Sequence, residues 1–389
     1  MQIALNSPVL FKRYFDCNQS INKANVDVNK INNSSKLMSY PSCYYISFGK
    51  NKDAFAKMKQ TKDDKKLNEL LQELTPKARE NFNGLLSRFE KEGLTKKDYL
   101  KACIKQPPLF QSSPDTIETN VKELVKRFQD EGLTVEVYLK ACIKQPPLFQ
   151  SSPDTIETNV KELVKRFEDE GLTKKSYLKA CINQPSLFHC SSDTIETNVR
   201  EFVKRFQDEG LTAANYTKAC VAQPPLFYMS PDTIEANVRG LVKQFENEGL
   251  TVEDYLKACV KFPSLFYSSP DTIAEHIKVM QFGNLNSNAP LENDEFWTTK
   301  LKSPIKFCCS SEYLMAIELI IPKMFENNQV PKELKGSKIL QKLQTYLESH
   351  PDKKYVLNVK GSQDDINLLK QCIDKINTDA NNRFEICHI

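Results

Sequence analysis

The sequence predicts an all-α fold, a solenoid of two-helix repeats with a period of 39 residues and a small α/β cap at its C-terminal end. The first observation is a Gly-Leu-Thr phrase that recurs at this spacing, at Gly93, Gly132, Gly171, Gly210 and Gly249. The second is that each phrase is followed by Lys-Ala-Cys and a Pro-x-Leu-Phe connector. The third is that the apolar residues in between follow a helical period. A repeat of this length is typical of solenoids, propellers and arrays.

The first helix of each repeat is predicted from its two ends. In the first clear copy, Thr95 is placed as an N-cap residue, and the helix runs to about residue 105. Pro107 ends it, because a helix rarely continues into a proline. Leu109 and Phe110 then form a connector that we expect to be buried.

The second helix follows the connector. Ser113 precedes it as a cap and Pro114 takes its first position, where the missing N–H costs no hydrogen bond. Apolar residues then form one stripe of an amphipathic helix: Ile117, Val121, Leu124, Val125 and Phe128. Gly132 ends the repeat in the left-handed cap conformation. Residues 75–92 match such a second helix one period earlier.

These patterns divide the chain into four regions. Residues 1–62 are rich in Asn and Ser, carry a net charge of +7 and lack a sustained period, so we expect a disordered basic tail. The repeat solenoid spans residues 63–290, and residues 291–329 form a degenerate sixth repeat. The α/β cap spans residues 330–389, with helices over 332–348 and 364–376 and two parallel strands over 355–359 and 383–389.

The sequence contains no pattern of an enzyme. There is no Gly-x-Gly-x-x-Gly, phosphate-binding loop or Gly-x-Ser-x-Gly, and the 12 Cys show no zinc spacing. The Cys of each Lys-Ala-Cys lies on an apolar helix face, which indicates a core position: Cys103, Cys142, Cys181, Cys220 and Cys259. We therefore expect no catalytic residue, metal, cofactor or small-molecule substrate.

The cellular location is predicted from the presence or absence of membrane-spanning and targeting signals. No run approaches 18 consecutive apolar residues, so no membrane-spanning helix is expected. There is no pattern of a secretory signal, and the many Cys favour a reducing compartment, so we expect a cytoplasmic monomer. The alternative is targeting to an organelle through the N-terminal tail. The tail lacks Glu, as transit peptides do, but it contains only one Arg, whereas transit peptides are usually rich in Arg.

The order Gly-Leu-Thr, helix, Pro-x-Leu-Phe, Ser-Pro, helix, Gly resembles the repeat of the mitochondrial transcription termination factor (mTERF) family. The resemblance covers residues 75–329, about two thirds of the chain. It implies helix pairs around a Pro-x-Leu-(Leu/Phe) connector, stacked into a curved half-solenoid. It also implies nucleic-acid binding in the groove. That implication comes from the family, because the four full copies from Gly93 to Glu248 have a net charge of −1.

Basic residues nevertheless recur at fixed repeat positions. The first ridge has one Lys in each first helix: Lys101, Lys140, Lys179, Lys218 and Lys257. The second ridge lies on the second helices: Lys126, Lys165, Lys204 and Lys243, with Arg127, Arg166 and Arg205 beside three of them. These ridges could follow a phosphate backbone. Alternatively they are a solvated face, in which bases near helix C-termini complement the helix dipole.

One position varies among copies that are otherwise alike. It directly follows the connector Phe: Gln111, Gln150, His189, Tyr228 and Tyr267. Some RNA-binding repeats read one base per repeat, so these are candidate recognition residues. The alternative is neutral drift on the surface. We expect a non-catalytic binding protein, with nucleic acid (DNA or RNA) along the ridges as the first hypothesis and a protein-interaction scaffold as the alternative.

Overall fold

The structure, a computed structural model, describes residues 51–325, 330–376 and 383–389. These residues are mostly helical, which confirms the predicted fold class. They form two compact units, one of residues 51–203 and 212–229, the other of residues 204–211 and the described residues from 230 onwards. Residues 1–50, with most of the predicted tail and the alternative targeting segment, lie outside the described part.

Each clear repeat begins with a first helix of ten residues: Lys96–Lys105, Val135–Lys144, Lys174–Asn183, Ala213–Ala222 and Val252–Lys261. The Thr of the Gly-Leu-Thr phrase caps it as predicted. Its side chain accepts a hydrogen bond from the backbone N–H three residues on, as Thr134 does from Val137 at 3.3 Å. This bond satisfies one of the N–H groups that the first helical turn leaves unpaired.

The Pro-x-Leu-Phe connectors fold into short 3-10 helices: Pro107–Phe110, Pro146–Gln150, Pro185–His189, Pro224–Phe227 and Pro263–Phe266. Their Leu and Phe side chains are at most 1% exposed, which confirms the predicted buried connector. In four copies the Tyr of the first helix donates its hydroxyl to the Leu carbonyl of its own connector, at 3.3 Å from Tyr138 to Leu148. The connector is thereby tied to the helix before it.

The second helices are Pro76–Phe89, Pro114–Arg127, Pro153–Arg166, Ser192–Arg205, Pro231–Phe245 and Pro270–Leu285. Ser113 occupies the predicted cap position, but its side chain makes no capping hydrogen bond. The proline after it therefore sets the start of the helix through its fixed φ. The glycines that follow five of the second helices have φ between 83° and 91°, as expected for left-handed caps.

Equivalent helices of successive copies pack against each other. In the unit of residues 51–203 and 212–229, first helices contact first helices and second helices contact second helices. We call these sets the first-helix layer and the second-helix layer. Edge-to-face rings join neighbouring copies, with centroids 5.5–5.8 Å apart: Tyr99–Phe149, Tyr138–Phe188 and Tyr177–Phe227. Edge-to-face contact is one of the two favoured geometries of aromatic pairs.

A polar contact also joins neighbouring copies. An Asn of the second helix donates to the carbonyl of the next connector Phe: Asn81 to Phe110, Asn159 to Phe188 and Asn237 to Phe266. In the last repeat His276 takes the place of Asn, with Nδ1 2.6 Å from the Phe307 carbonyl oxygen. The repeated Cys are fully buried, as predicted, and burial raises the pKa of each thiol.

Within the described residues, the helices Lys52–Gln60 and Asp64–Glu73 precede the second helix Pro76–Phe89. The prediction of disorder through residue 62 is therefore wrong for residues 52–60. Ala54, Phe55 and Met58 are buried, and Phe55 stacks on Phe110 with ring centroids 5.2 Å apart. The ring contact supplies burial that the Lys-rich sequence did not suggest.

The predicted sixth repeat is present in altered form. It has a first helix, Asn293–Lys300, a connector, Pro304–Cys308, and a second helix in pieces: Ser311–Met315, a π-helical turn Ala316–Ile320, and Ile321–Met324. Pro322 lies in the last piece, where it lacks the N–H of a regular helix.

The cap contains helices Ile339–Ser349 and Gln363–Ile376 and strands Tyr355–Val359 and Phe384–His388. The strands are parallel as predicted, with Tyr355 opposite Phe384. The predicted helix start at Lys332 is wrong. Lys332–Leu334 is a 3-10 turn, and the positive φ of Gly336 (79°) and Lys338 (57°) separates it from the helix. No helix in the described ranges is both long and apolar enough to cross a membrane.

Candidate nucleic-acid interface

The five lysines of the first ridge are all exposed, near the middle of first helices whose opposite face is buried. Lys140 pairs with Glu136 at 2.6 Å, and Lys257 pairs with Glu253 at 2.7 Å. In the described part of the chain, no carboxylate lies within 4 Å of the ammonium groups of the other three: Lys101, Lys179 and Lys218. The charges of Lys179 and Lys218 are therefore available to an anionic ligand. The charge of Lys101 is shared only with the more distant Asp64, whose pKa is lowered mainly by Lys97.

Charge separates between the two helix layers of the unit of residues 51–203 and 212–229. Helix Lys52–Gln60 packs on Lys96–Lys105, the first helix of the first clear repeat. In chain order, Lys52–Gln60 and the four first helices carry net charges of +2, +3, +1, +3 and +1, which is +10 in all. The second helices with their following loops, residues 76–92, 114–131 and 153–170, carry +1, −2 and −3, or −4 in all. The first-helix layer is therefore strongly basic although the repeats are neutral.

Sequence reasoning missed this separation because it counted charge by repeat. Each of the four full copies from Gly93 to Glu248 joins a basic first helix to an acidic second helix and loop, so the charges of the two largely cancel. A tally by predicted helix would have found it. In the other unit the first helix Val252–Lys261 has no net charge, since Glu253 and Asp254 offset its lysines.

The arginines of the second ridge form ion pairs with the next copy. Each binds the Asp in the first turn of the next second helix at 2.5–2.6 Å, and Arg88 does the same in the copy before: Arg88–Asp115, Arg127–Asp154, Arg166–Asp193 and Arg205–Asp232. Each also lies 2.8–3.1 Å from the Glu three residues further on, for example Glu157. The Lys161 ammonium, together with the Arg127 guanidinium, lowers the pKa of Glu157.

Phosphate contacts by these arginines would have to displace carboxylates. The second-ridge lysines differ from them. Lys126, Lys165, Lys204 and Lys243 are exposed, and within the described ranges none has a carboxylate within 4 Å. Lys126 and Lys165 lie, however, on the acidic second-helix layer.

Variable connector residues of three copies contact the preceding repeat. Gln150 donates to Ser112 Oγ at 2.7 Å and accepts from Gln106 at 3.3 Å. His189 Nε2 lies 2.7 Å from Ser151 Oγ, and Tyr228 accepts from Gln184 at 2.8 Å. Gln111 is also exposed, and Tyr267 is half-buried.

The His189 ring contacts Ser151 of the preceding repeat. The Ser151 hydroxyl donates to the Pro147 carbonyl at 3.1 Å, and Nε2 of His189 lies 2.7 Å from Ser151 Oγ. Burial lowers the pKa of His189, which leaves the ring neutral at neutral pH. No group of three or more His, Cys, Asp or Glu in the described ranges is placed to hold a metal ion.

Comparison with known proteins places this architecture in a family. A family model, mTERF, matches residues 37–293, which is more than half of the chain and covers the five clear repeats. A comparison with curated proteins gave no match. The matched residues include the helix pairs and the 3-10 connectors of the five clear repeats. The chain belongs to the mTERF family.

Proposed function

We propose that this chain is a non-catalytic nucleic-acid-binding protein that holds phosphates on its first-helix layer. Membership of the mTERF family suggests a helical-repeat protein of the nucleic-acid-binding type. The observation that carries the proposal is the separation of charge, +10 against −4, between the two layers of the unit of residues 51–203 and 212–229. A basic face of this kind is the electrostatic footprint of a nucleic-acid binder.

The first-ridge lysines are better phosphate ligands than the second-ridge arginines. An ammonium group without a carboxylate partner can bind a phosphate without first breaking an ion pair. Binding releases the counterions of the phosphate, and this release is the source of salt-dependent affinity. Lys101, Lys179 and Lys218 meet that condition. The variable connector residues then lie beside the bound strand, as candidates for contacts with its bases.

The test compares two triple variants with equal loss of charge. Lys101, Lys179 and Lys218 are replaced by Gln in the first, and Lys126, Lys165 and Lys204 in the second. Each variant is titrated with single-stranded and duplex DNA and RNA at several salt concentrations. The first variant should lower the salt slope by about two on single strands, at about 0.7 for each phosphate contact. The second should lower it much less.

Folding is the control, since exposed substitutions usually change stability by within about 0.5 kcal/mol. Both variants should therefore unfold at nearly the temperature of the wild type. An equal loss of slope in the two variants would mean that overall charge, and not the first-helix layer, drives binding.

The alternative is a protein-interaction scaffold, which the acidic second-helix layer favours. That layer would suit a basic partner. A wild-type chain with no salt-dependent affinity for any of the four nucleic acids would support the scaffold and end the nucleic-acid proposal.

A further inference from the structure

Two connector side chains are aromatic rings held by one polar atom. The hydroxyl of Tyr228 accepts from Gln184 Nε2 at 2.8 Å, and Nε2 of His189 contacts Ser151 Oγ at 2.7 Å. Both residues are partly buried and keep part of their surface exposed, 36% in Tyr228. A ring fixed at one edge loses little further freedom when a ligand packs on its face, which favours binding.

The Tyr228 ring lies at the end of a basic helix. Gln184, the partner of Tyr228, is the C-cap residue of the first helix Lys174–Asn183. Along that helix Lys175, Lys179 and Asn183 are exposed at intervals of four residues, which places them on one face that leads to the cap. A strand whose phosphates contact these lysines has the Tyr228 ring beside it, and His189 occupies the same repeat position one copy earlier.

Aromatic rings next to a basic track are how proteins bind single strands. Every base has a flat face that stacks on such a ring, whereas the bases of a duplex stack on one another. We propose that His189 and Tyr228 stack unpaired bases of a single-stranded nucleic acid whose phosphates are bound by the first-helix lysines. This proposal rests on the proposed function and names its substrate class.

The test uses three labelled probes of about 12 nucleotides, within the range that such sites cover. They are a mixed-sequence single strand, a strand of equal length with abasic residues, and the duplex of the first. Fluorescence anisotropy gives Kd for each at two salt concentrations. The wild type should bind the base-bearing strand roughly tenfold more tightly than the abasic strand, because stacking acts only on bases.

The chain itself supplies the matched variant, since two copies carry Gln at this position. In a His189→Gln, Tyr228→Gln variant the new Gln can still accept from Gln184, as Gln150 accepts from Gln106. The variant should lose the preference for bases and keep the affinity and salt slope for the abasic strand. Tyr228→Phe removes the hydroxyl and keeps the ring, so it should retain the preference.

The outcomes separate this inference from the function on which it rests. If the wild type binds base-bearing and abasic strands equally, with salt dependence, stacking is overturned and the proposed function stands. If the double variant keeps the preference, the assignment to His189 and Tyr228 is overturned. If no probe shows salt-dependent binding, both proposals fall.

Discussion

Thr217, in the fourth clear repeat, occupies a buried position at which the other four clear repeats carry Leu. The four leucines are at most 5% exposed: Leu100, Leu139, Leu178 and Leu256. Thr217 is 1% exposed, and its Oγ1 has no hydrogen-bond partner in the described part of the molecule. A buried hydroxyl that lost its water partners without gaining others costs about 1–3 kcal/mol. This one side chain weakens the repeat that contains it.

Thr217→Leu should therefore raise the free energy of unfolding by about 1 kcal/mol, after some loss to the larger side chain. Urea unfolding followed by circular dichroism measures the change. Thr217→Val keeps the shape and removes only the hydroxyl, so it should act in the same direction. A clear loss of stability in the Val variant would show that the hydroxyl makes a contact that stabilises the fold.

His276 makes the last repeats sensitive to pH. Burial lowers its pKa, although the Phe307 carbonyl and the carboxylates of Glu275 and Glu312 act in the opposite direction. The unfolded chain takes up the proton near the ordinary pKa of 6.5, and the folded chain does so only at lower pH. The unfolded state thus binds more protons as pH falls below that value, and stability is lost there, by at most about 1.4 kcal/mol per pH unit.

The other copies carry Asn at this position, so His276→Asn is the matched variant. It should keep the hydrogen bond to the Phe307 carbonyl and lose less stability than the wild type between about pH 7.5 and pH 5.5. Thermal unfolding across this range measures the difference. His189→Gln is run in parallel, because burial also lowers the pKa of His189. Equal pH dependence in wild type and His276→Asn would mean that folding does not lower the pKa of His276.

At the scale of elements, the connector is what joins one repeat to the next. Phe149 is 0% exposed, and its ring meets Tyr99 of the preceding first helix edge-on at 5.5 Å. Phe149→Ala should cost about 3–5 kcal/mol, and the damage should stay in the adjoining repeats, since each repeat contacts only its neighbours. Hydrogen exchange should rise in residues 96–110 and 135–166 and change little in the cap. Gln150→Ala is the exposed control, and an equal effect there would contradict a packing role for Phe149.

The helices of the repeats were predictable because their signals are local. Thr95, Pro107 and Gly132 each set a boundary through a hydrogen bond or a φ angle within a few residues. The helix Lys52–Gln60 was not predictable in this way, since it is stabilised by the distant ring of Phe110.

The candidate site was predictable to a similar degree. The exposure of the first-ridge lysines follows from the helical period. The pairing of Arg127 with Asp154 does not, since it joins side chains 27 residues apart across two repeats. The interpretation of the second ridge therefore needed the packing of second helix on second helix.

At the scale of the whole chain, a formal net charge of +4 conceals helices of opposite net charge. Charge near neutrality usually argues against a nucleic-acid binder, because phosphate contacts supply most of its affinity. The layers resolve this conflict in the unit of residues 51–203 and 212–229, where basic and acidic groups are sorted by helix. Affinity should then depend on which lysines are present and not on the net charge.

The most direct test of this account is chemical modification of lysines, read by mass spectrometry, with and without a bound single strand. The strand should slow the modification of Lys101, Lys179 and Lys218, because their ammonium groups contact phosphates. Lys126, Lys165 and Lys204, which are also exposed but lie on second helices, should react at an unchanged rate. Equal protection of the two sets, or protection of the second set alone, would contradict a phosphate-binding first-helix layer.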